Sequence, residues 1–458
     1  MNSLGFVASI LSVLLSVAVP EAVAAGQTEN RPGAAKAFMQ FRAASTRVSR
    51  GGVTLQYLGQ QSEAWQTLER IERAIAAMRA VFDGMQQRES VDDLAVWIIP
   101  DRDAYIGGVR AIGGADGGNS GGMCCIRDDN AYVFVHGWSW PTLQHELWHA
   151  LSHIYLGDCA PWIDEGLAEV FERGVDVDGN FVIGAISERD RGRVRDALRG
   201  GGLKPTIEFA SVGDTTWSTR LRHGTSDGSV QYTQAWITMQ FLLFADEGAH
   251  RGYLNRLLRE LNRGQSSRSA LNASIGGTAA SLKAFDAAIL RYIERLEVVD
   301  PKAMEEMLRK WGEDVAARVP ADRCEPEQLT AETAGLAKRA KDAGLSCEFE
   351  GKVRCITTGS APLHEHVVEI APVHGMRWEV RWERPASAPS ARKTPTPAED
   401  GDGTPPVRES AAPSRPGENG SESDEERKPK QAASTDPSTD PSTDRPPHRV
   451  RIRWFLSR

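Results

Sequence analysis

The sequence predicts an α+β protein, and three observations carry that expectation. Strand-like runs at residues 53–58, 94–99 and 132–135 are joined by sequence that includes one amphipathic helix over 68–82, and further helical sequence follows them, from the helix opened at Ser139 to residue 296. After residue 342 the period returns to two, and Glu348–Ile356, His366–Ile370 and Met376–Trp382 read as strands. A chain of 458 residues with 40% hydrophobic and 25% charged content is ordinary for a globular protein of two or three domains. The expected division is a domain over 50–298 with a mixed sheet and a helical second half, then a small α+β module over 301–384. A disordered Pro/Ser/acidic segment over 385–449 and a short terminal strand or basic tail over 450–458 follow.

Residues 4–19 are apolar and uncharged, and Ala22-Val23-Ala24 supplies a small-residue cleavage site. This predicts a signal peptide over 1–25 and a secreted, periplasmic or cell-envelope protein. The alternative is an uncleaved N-terminal anchor; no later segment is long and apolar enough to span a membrane. Residues 26–49 read as a lead-in, a loose segment or short helix.

The Gly51-Gly52 turn introduces the first strand. Leu68, Ile71, Ile75, Met78 and Phe82 then form one stripe of an amphipathic helix stopped by Gly84. Leu94–Ile99 is almost continuously apolar and predicts a strand buried on both faces, ended by Pro100. Residues 107–122 are glycine-rich and read as a loop, with a lid over the cleft as the functional alternative. They lack the lysine of a phosphate-binding loop, so nucleotide binding is discarded.

Tyr132–Val135 is the next strand, and Ser139 and Pro141 open the helix after it. Residues 174–228 show no strong period and read as an insertion over the site. Helices follow from Tyr232 to Phe244, over 252–262 and over 281–296, and residues 301–342 read as helical and charged. The terminal Val450, Ile452, Trp454 and Leu456 alternate, which favours a strand returning to the C-terminal module.

Net charge is -8, which gives no case for nucleic acid or an anionic membrane surface as partner. Six cysteines in an exported chain predict disulfides. Candidates are a bridge from Cys124 or Cys125 to Cys159, and Cys347–Cys355 or Cys324–Cys347 in the C-terminal module.

The chemistry is concentrated in His145-Glu146-Leu147-Trp148-His149, followed fifteen residues later by Glu165-Gly166-Leu167-Ala168-Glu169. Histidines four apart share a helix face, about one turn from each other, and can bind one tetrahedral zinc ion. Glu146 projects beside such an ion, where a carboxylate can take a proton from an attacking water. Glu165, on a second helix opened by Pro161, is the candidate third ligand. Glu169, one turn on, is expected to accept a hydrogen bond from the far nitrogen of a ligand histidine. His153 lies eight residues from His145, about 12 Å along a helix, and cannot share the ion. Cys124, Cys125 and Cys159 are alternative thiolate ligands, although exported cysteines are more often oxidised.

HELWH followed by Trp162-Ile163-Asp164-Glu165-Gly166-Leu167-Ala168-Glu169 resembles the gluzincin, or peptidase MA, clan. It is most similar to a bacterial metallopeptidase family with the pattern HExxH…WxxEGxAE. The resemblance covers roughly residues 50–296, and its specificity is concentrated in 141–172. It implies a zincin-like catalytic domain, zinc at His145, His149 and Glu165, and Glu146 as general base. It also implies that Tyr132–Val135 is an edge strand beside the metal, able to bind a peptide by strand addition. A Tyr or His from the helical half binds the oxyanion in this clan, which makes Tyr232 the first candidate and His223 the second. The gap to Glu165 is shorter than in thermolysin-like members, so the loop at 156–161 is tight.

The function so implied is peptide-bond hydrolysis on a peptide or protein substrate. A non-catalytic zinc-binding scaffold, or a zinc amidase acting on non-peptide amides, are the alternatives. The sequence leaves oligomeric state and endo- or exo-cleavage open.

Overall fold

A computed structural model describes residues 33–114, 120–177, 179–222, 226–318, 335–342, 352–357, 364–373, 376–383 and 449–456. The expected signal peptide, His223, most of the 385–449 segment, Cys324 and Cys347 lie outside the described residues, as does the side chain of Cys355. The chain is α+β with a mixed sheet. Among the described residues no helix is long and apolar enough to cross a membrane.

Within the expected lead-in, the described residues 33–49 hold the short helix that is one of its alternatives, together with an unexpected strand. Helix α1 (Ala34–Ala44) and strand β1 (Thr46–Arg50) precede β2 (Val53–Tyr57), and Gly51 and Gly52 take the positive φ that the tight β1–β2 turn requires. Helix α2 (Gln61–Arg79) and a 3₁₀ turn at Ala80–Phe82 lead to β3 (Asp93–Ile99). Next come α3 (Arg102–Gly108), a π-helical turn at Val109–Gly113, β4 (Gly122–Arg127) and β5 (Asn130–His136). The sheet order is β1-β2-β3-β5-β4, with β2, β3 and β5 parallel and the outer strands antiparallel.

Two expectations are corrected here. β5 is paired on both sides, so it is not the edge strand; β4 is, because the chain reverses at Asp128-Asp129, both left-handed, and pairs back on its own outside. Residues 107–113 of the glycine-rich stretch are also helix rather than loop, and 115–119 lie outside the described residues. A Cβ on Gly107 would lie 2.1 Å from the Ala34 carbonyl oxygen and one on Gly108 2.7 Å from the Phe38 ring, so these glycines let α1 lie against α3. Composition marks such residues as breakers, and here they serve close packing.

Both faces of the sheet are covered, as the apolar run at 94–99 implies. Leu94, Val96 and Ile98 face one core, together with Leu68, Ile71 and Leu147. Ala95, Trp97 and Ile99 face the other, with Phe38, Phe41 and Tyr105.

The metal-motif helices come next: α4 (Trp140–Leu156), capped by Ser139, and α5 (Pro161–Glu172), opened by Pro161. The hairpin β6 (Val175–Val177)–β7 (Asn180–Val182) and helices α6 (Glu188–Arg199), α7 (Thr206–Phe209) and α8 (Asp214–Arg222) occupy the stretch expected as an insertion. Helix α9 (Ser226–Phe244) begins before Tyr232, so that residue lies inside the helix. Helices α10 (Arg251–Asn262), α11 (Ser267–Ile275), α12 (Ala279–Glu294), α13 (Pro301–Arg318) and α14 (Leu336–Asp342) follow.

A second sheet is ordered β11-β10-β9-β8, from β8 (Lys352–Thr357), β9 (His364–Val373), β10 (Met376–Glu383) and β11 (Arg449–Leu456). Trp378 and Val380 of β10 are buried in the same continuous core as Leu308, Trp311 and Val315 of α13.

Gly166 sets the spacing of α5 and α9. A Cβ there would lie 2.7 Å from the Ala235 carbonyl oxygen and 2.9 Å from Met239 Cγ. Gly166→Val is therefore expected to cost about 1–3 kcal/mol by overpacking, read as a lowered Tm. An unchanged Tm would show that the two helices separate freely.

Candidate metal centre

His145, Glu146 and His149 lie on α4 and are buried, as are Glu165 and Glu169 on α5. The two imidazoles sit one turn apart, with ring centroids 4.7 Å from each other. Glu165 Oε2 lies 3.2 Å from His145 Nε2 and 3.6 Å from His149 Nε2. One atom of each of the three residues falls within 4.8 Å of the others. The buried Glu165 Oε2 has no correctly aligned hydrogen-bond donor.

Each imidazole is held from behind by a carboxylate. His145 Nδ1 donates to Glu172 Oε2 at 3.0 Å, and His149 Nδ1 donates to Asp164 Oδ2 at 2.8 Å. With the proton on Nδ1, both Nε2 lone pairs point at the Glu165 carboxylate. Three electron donors then converge, and only positive charge between them makes the arrangement favourable. Without an ion the imidazoles supply that charge themselves. Burial works against the charged form of His145, yet pairing with Glu165 and Glu172 raises it to about 10. His149 is raised in the same way against its burial, by Asp164 and Glu165. Burial alone would raise the Glu165 carboxyl, but the two imidazoles hold it well below the usual range. A buried site that demands cationic charge and presents two nitrogens and one oxygen fits a divalent metal ion.

No family model and no curated protein matches the chain. The site therefore stands on its own geometry.

The carboxylate expected behind a histidine was Glu169, and that expectation is corrected. Glu169 is engaged by Arg173, whose Nη1 lies 2.8 Å from Glu169 Oε2. The partners are Glu172 and Asp164, which sequence reasoning passed over. Glu172 lies seven residues after Glu165, two helical turns along the same face, so its signal was present in the spacing, whereas Asp164 adjoins Glu165 and helical spacing alone does not turn it to the same side. Asp164→Asn is expected to weaken metal binding about 10–100-fold by loosening the His149 ring. Competition with a chromophoric chelator measures this, and unchanged affinity would remove Asp164 from the site.

Glu146 lies next to the ligands without facing the same point. Its Oε2 is buried and unpartnered, and burial pushes the carboxyl up to about 7 against the charges of His149 and His145. It packs against the first residue of the edge strand. A Cβ on Gly122 would lie 2.7 Å from Glu146 Cγ and 2.8 Å from its Oε1. The absent side chain at Gly122 thus lets β4 pass directly over the carboxylate.

Tyr232 is brought to the site from α9. Its hydroxyl is buried without a hydrogen-bond partner, and its polar neighbours are the Glu165 carboxylate and the Trp217 indole, whose ring meets it edge-on at 5.3 Å. His153 lies outside the cluster, 3.4 Å from Glu89.

Cys124, Cys125 and Cys159 are free, and none joins the metal cluster, so neither the bridge to Cys159 nor thiolate ligation is found. Cys124 and Cys125 are successive residues of β4, so their side chains leave opposite faces of the sheet. Cys159 Sγ instead approaches Ser152 Oγ at 3.9 Å.

Proposed function

We propose that this chain is an exported zinc-dependent metallopeptidase of the gluzincin type, with a zincin-like catalytic domain. The observation that carries the reading is the convergence of His145, His149 and Glu165, each imidazole pinned by its own carboxylate, with the unpartnered Glu146 carboxylate alongside. Two nitrogens and one oxygen are a donor set suited to zinc, and three protein ligands leave a fourth position open for chemistry. A bound zinc ion supplies a Lewis acid that makes water nucleophilic near neutrality and polarises a carbonyl.

The protein's own residues do the rest. Glu146 takes a proton from the attacking water and delivers it to the leaving amine as the C–N bond breaks. Burial favours this role, because a carboxyl held near neutrality both accepts and releases a proton readily. The Tyr232 hydroxyl, which has no partner in the resting site, donates to the oxyanion that develops on the carbonyl.

Glu172 and Asp164 keep the rings in the tautomer that presents Nε2. The outer edge of β4 begins beside Glu146, so a peptide added there as a further strand runs its backbone past the proton acceptor. That favours an extended peptide over a non-peptide amide.

The reading is tested by incubating full-length protein with a broad peptide library, with zinc and after chelation, and mapping cleavage by mass spectrometry. The expected result is cleavage that chelation removes and zinc restores. Protein that binds one zinc and cuts nothing would overturn it.

A further inference from the structure

The second sheet carries an inference independent of the metal centre. β10 is anchored in the main core through Trp378 and Val380, which pack with Leu308, Trp311 and Val315 of α13. On one side β10 pairs with β9, and on the other with β11, which is the last strand on that side. Yet β11 is not contiguous with the rest of the sheet: residues 384–448 intervene, and they contain no Leu, Ile or aromatic residue and a single Val, Val407. Such a sequence has little apolar content, and the structure joins β11 to β10 by strand pairing.

A strand held in that way is a tethered ligand. Covalent connection through residues 384–448 favours pairing of β11 within its own chain over pairing between copies. Without β11, β10 would present a row of unpaired backbone N–H and C=O groups, a ready template for another strand.

We propose that the outer edge of β10 is a strand-binding site with β11 as its intramolecular occupant, and that the β11 segment of a second copy of this chain takes the same place by exchange. At low protein concentration the strand of the same chain wins, and raising the concentration favours exchange. The segment's alternation, Arg449-Val450-Arg451-Ile452-Arg453-Trp454, suits a strand with one apolar and one cationic face.

The test uses the full chain and a fluorescent peptide of residues 449–458, which stands in for the second copy's strand. Arg451→Pro/Ile452→Pro in the full chain removes two adjacent N–H donors, one of which must face β10, and so empties the edge. Anisotropy is expected to show the peptide binding this variant at least about ten-fold more tightly than wild type, where β11 competes in cis. A peptide carrying the same two prolines is expected not to bind, which separates pairing from attraction of a basic peptide to an acidic protein.

Absence of binding to a variant with unchanged circular dichroism would overturn the proposal, and so would equal affinity for variant and wild type. Should the proline variant not fold, a full chain with a specific protease site inserted after Gly420, cut and then exchanged against the peptide, gives the same comparison. Release of the cut tail with no uptake of the peptide would then overturn the proposal.

Discussion

Replacing Glu146 with glutamine is expected to lower the turnover of peptide substrates by about 10²–10⁴-fold while leaving zinc content and Tm unchanged. The substitution is close to isosteric. It keeps the contact beneath Gly122, where the glutamate side chain already fills the space a Cβ would need. It also removes a buried carboxylate, so the fold loses no favourable pairing: Glu146 Oε2 has no partner to lose. What disappears is the ability to accept and return a proton. Metal retention is expected because the converging atoms belong to His145, His149 and Glu165. Steady-state rates together with metal analysis decide the matter. Equal rates in variant and wild type, with zinc bound in both, would sink the general-base role. Loss of zinc together with activity would place Glu146 among the ligands instead.

Arg173→Met is the substitution expected to damage stability most, by about 3–5 kcal/mol. Arg173 bonds to the carboxylate and the carbonyl of Glu169 at 2.8 and 2.6 Å, bonds to Asp190 at 3.1 Å, and lies 4.6 Å over the Trp236 ring. Burial works against its charge, and Glu169 and Asp190 hold the guanidinium protonated nonetheless. Methionine fills the apolar part of that volume but leaves the Glu169 carboxylate buried and uncompensated.

The sign of the pH dependence follows from Glu169. Its carboxyl is already raised by burial despite Arg173 beside it, and removing the arginine raises it further. A raised carboxyl is tolerated while protonated, so the deficit is small at low pH and grows as pH rises through the folded-state value. Urea unfolding at pH 5 and pH 8 measures it, and Arg173→Met/Glu169→Gln is expected to recover most of the loss. A deficit of the same size at pH 5 and pH 8 would show that packing on Trp236, not charge, is what Arg173 supplies.

Much of the site was legible from spacing. His145 and His149 at four residues, and Glu165 on a second helix opened by Pro161, are local patterns, and helix periodicity converts them directly into a shared direction. The burial of Leu94–Ile99 on both faces and the strand character of residues 450–456 were legible for the same reason, since a period of two is a property of the strand itself. Pairing was not. That β4, rather than the strand at Tyr132–Val135, forms the sheet edge depends on which side of β5 the chain returns to, and no residue of β5 encodes it. The free state of Cys159 was illegible too, because a thiol count carries no distance.

The sequence by itself therefore determined which residues can meet a cation, because two histidines and a glutamate on regular helices have directions set by helical geometry alone. Only the tertiary structure decided what stands behind them. Glu172 accepts from His145 while Glu169, within 4.8 Å of both, is bonded to Arg173 instead, and Gly122 brings an edge strand over Glu146. Those choices follow from how α4, α5, α9 and β4 pack, where a few ångströms select one carboxylate over its neighbour on the same face.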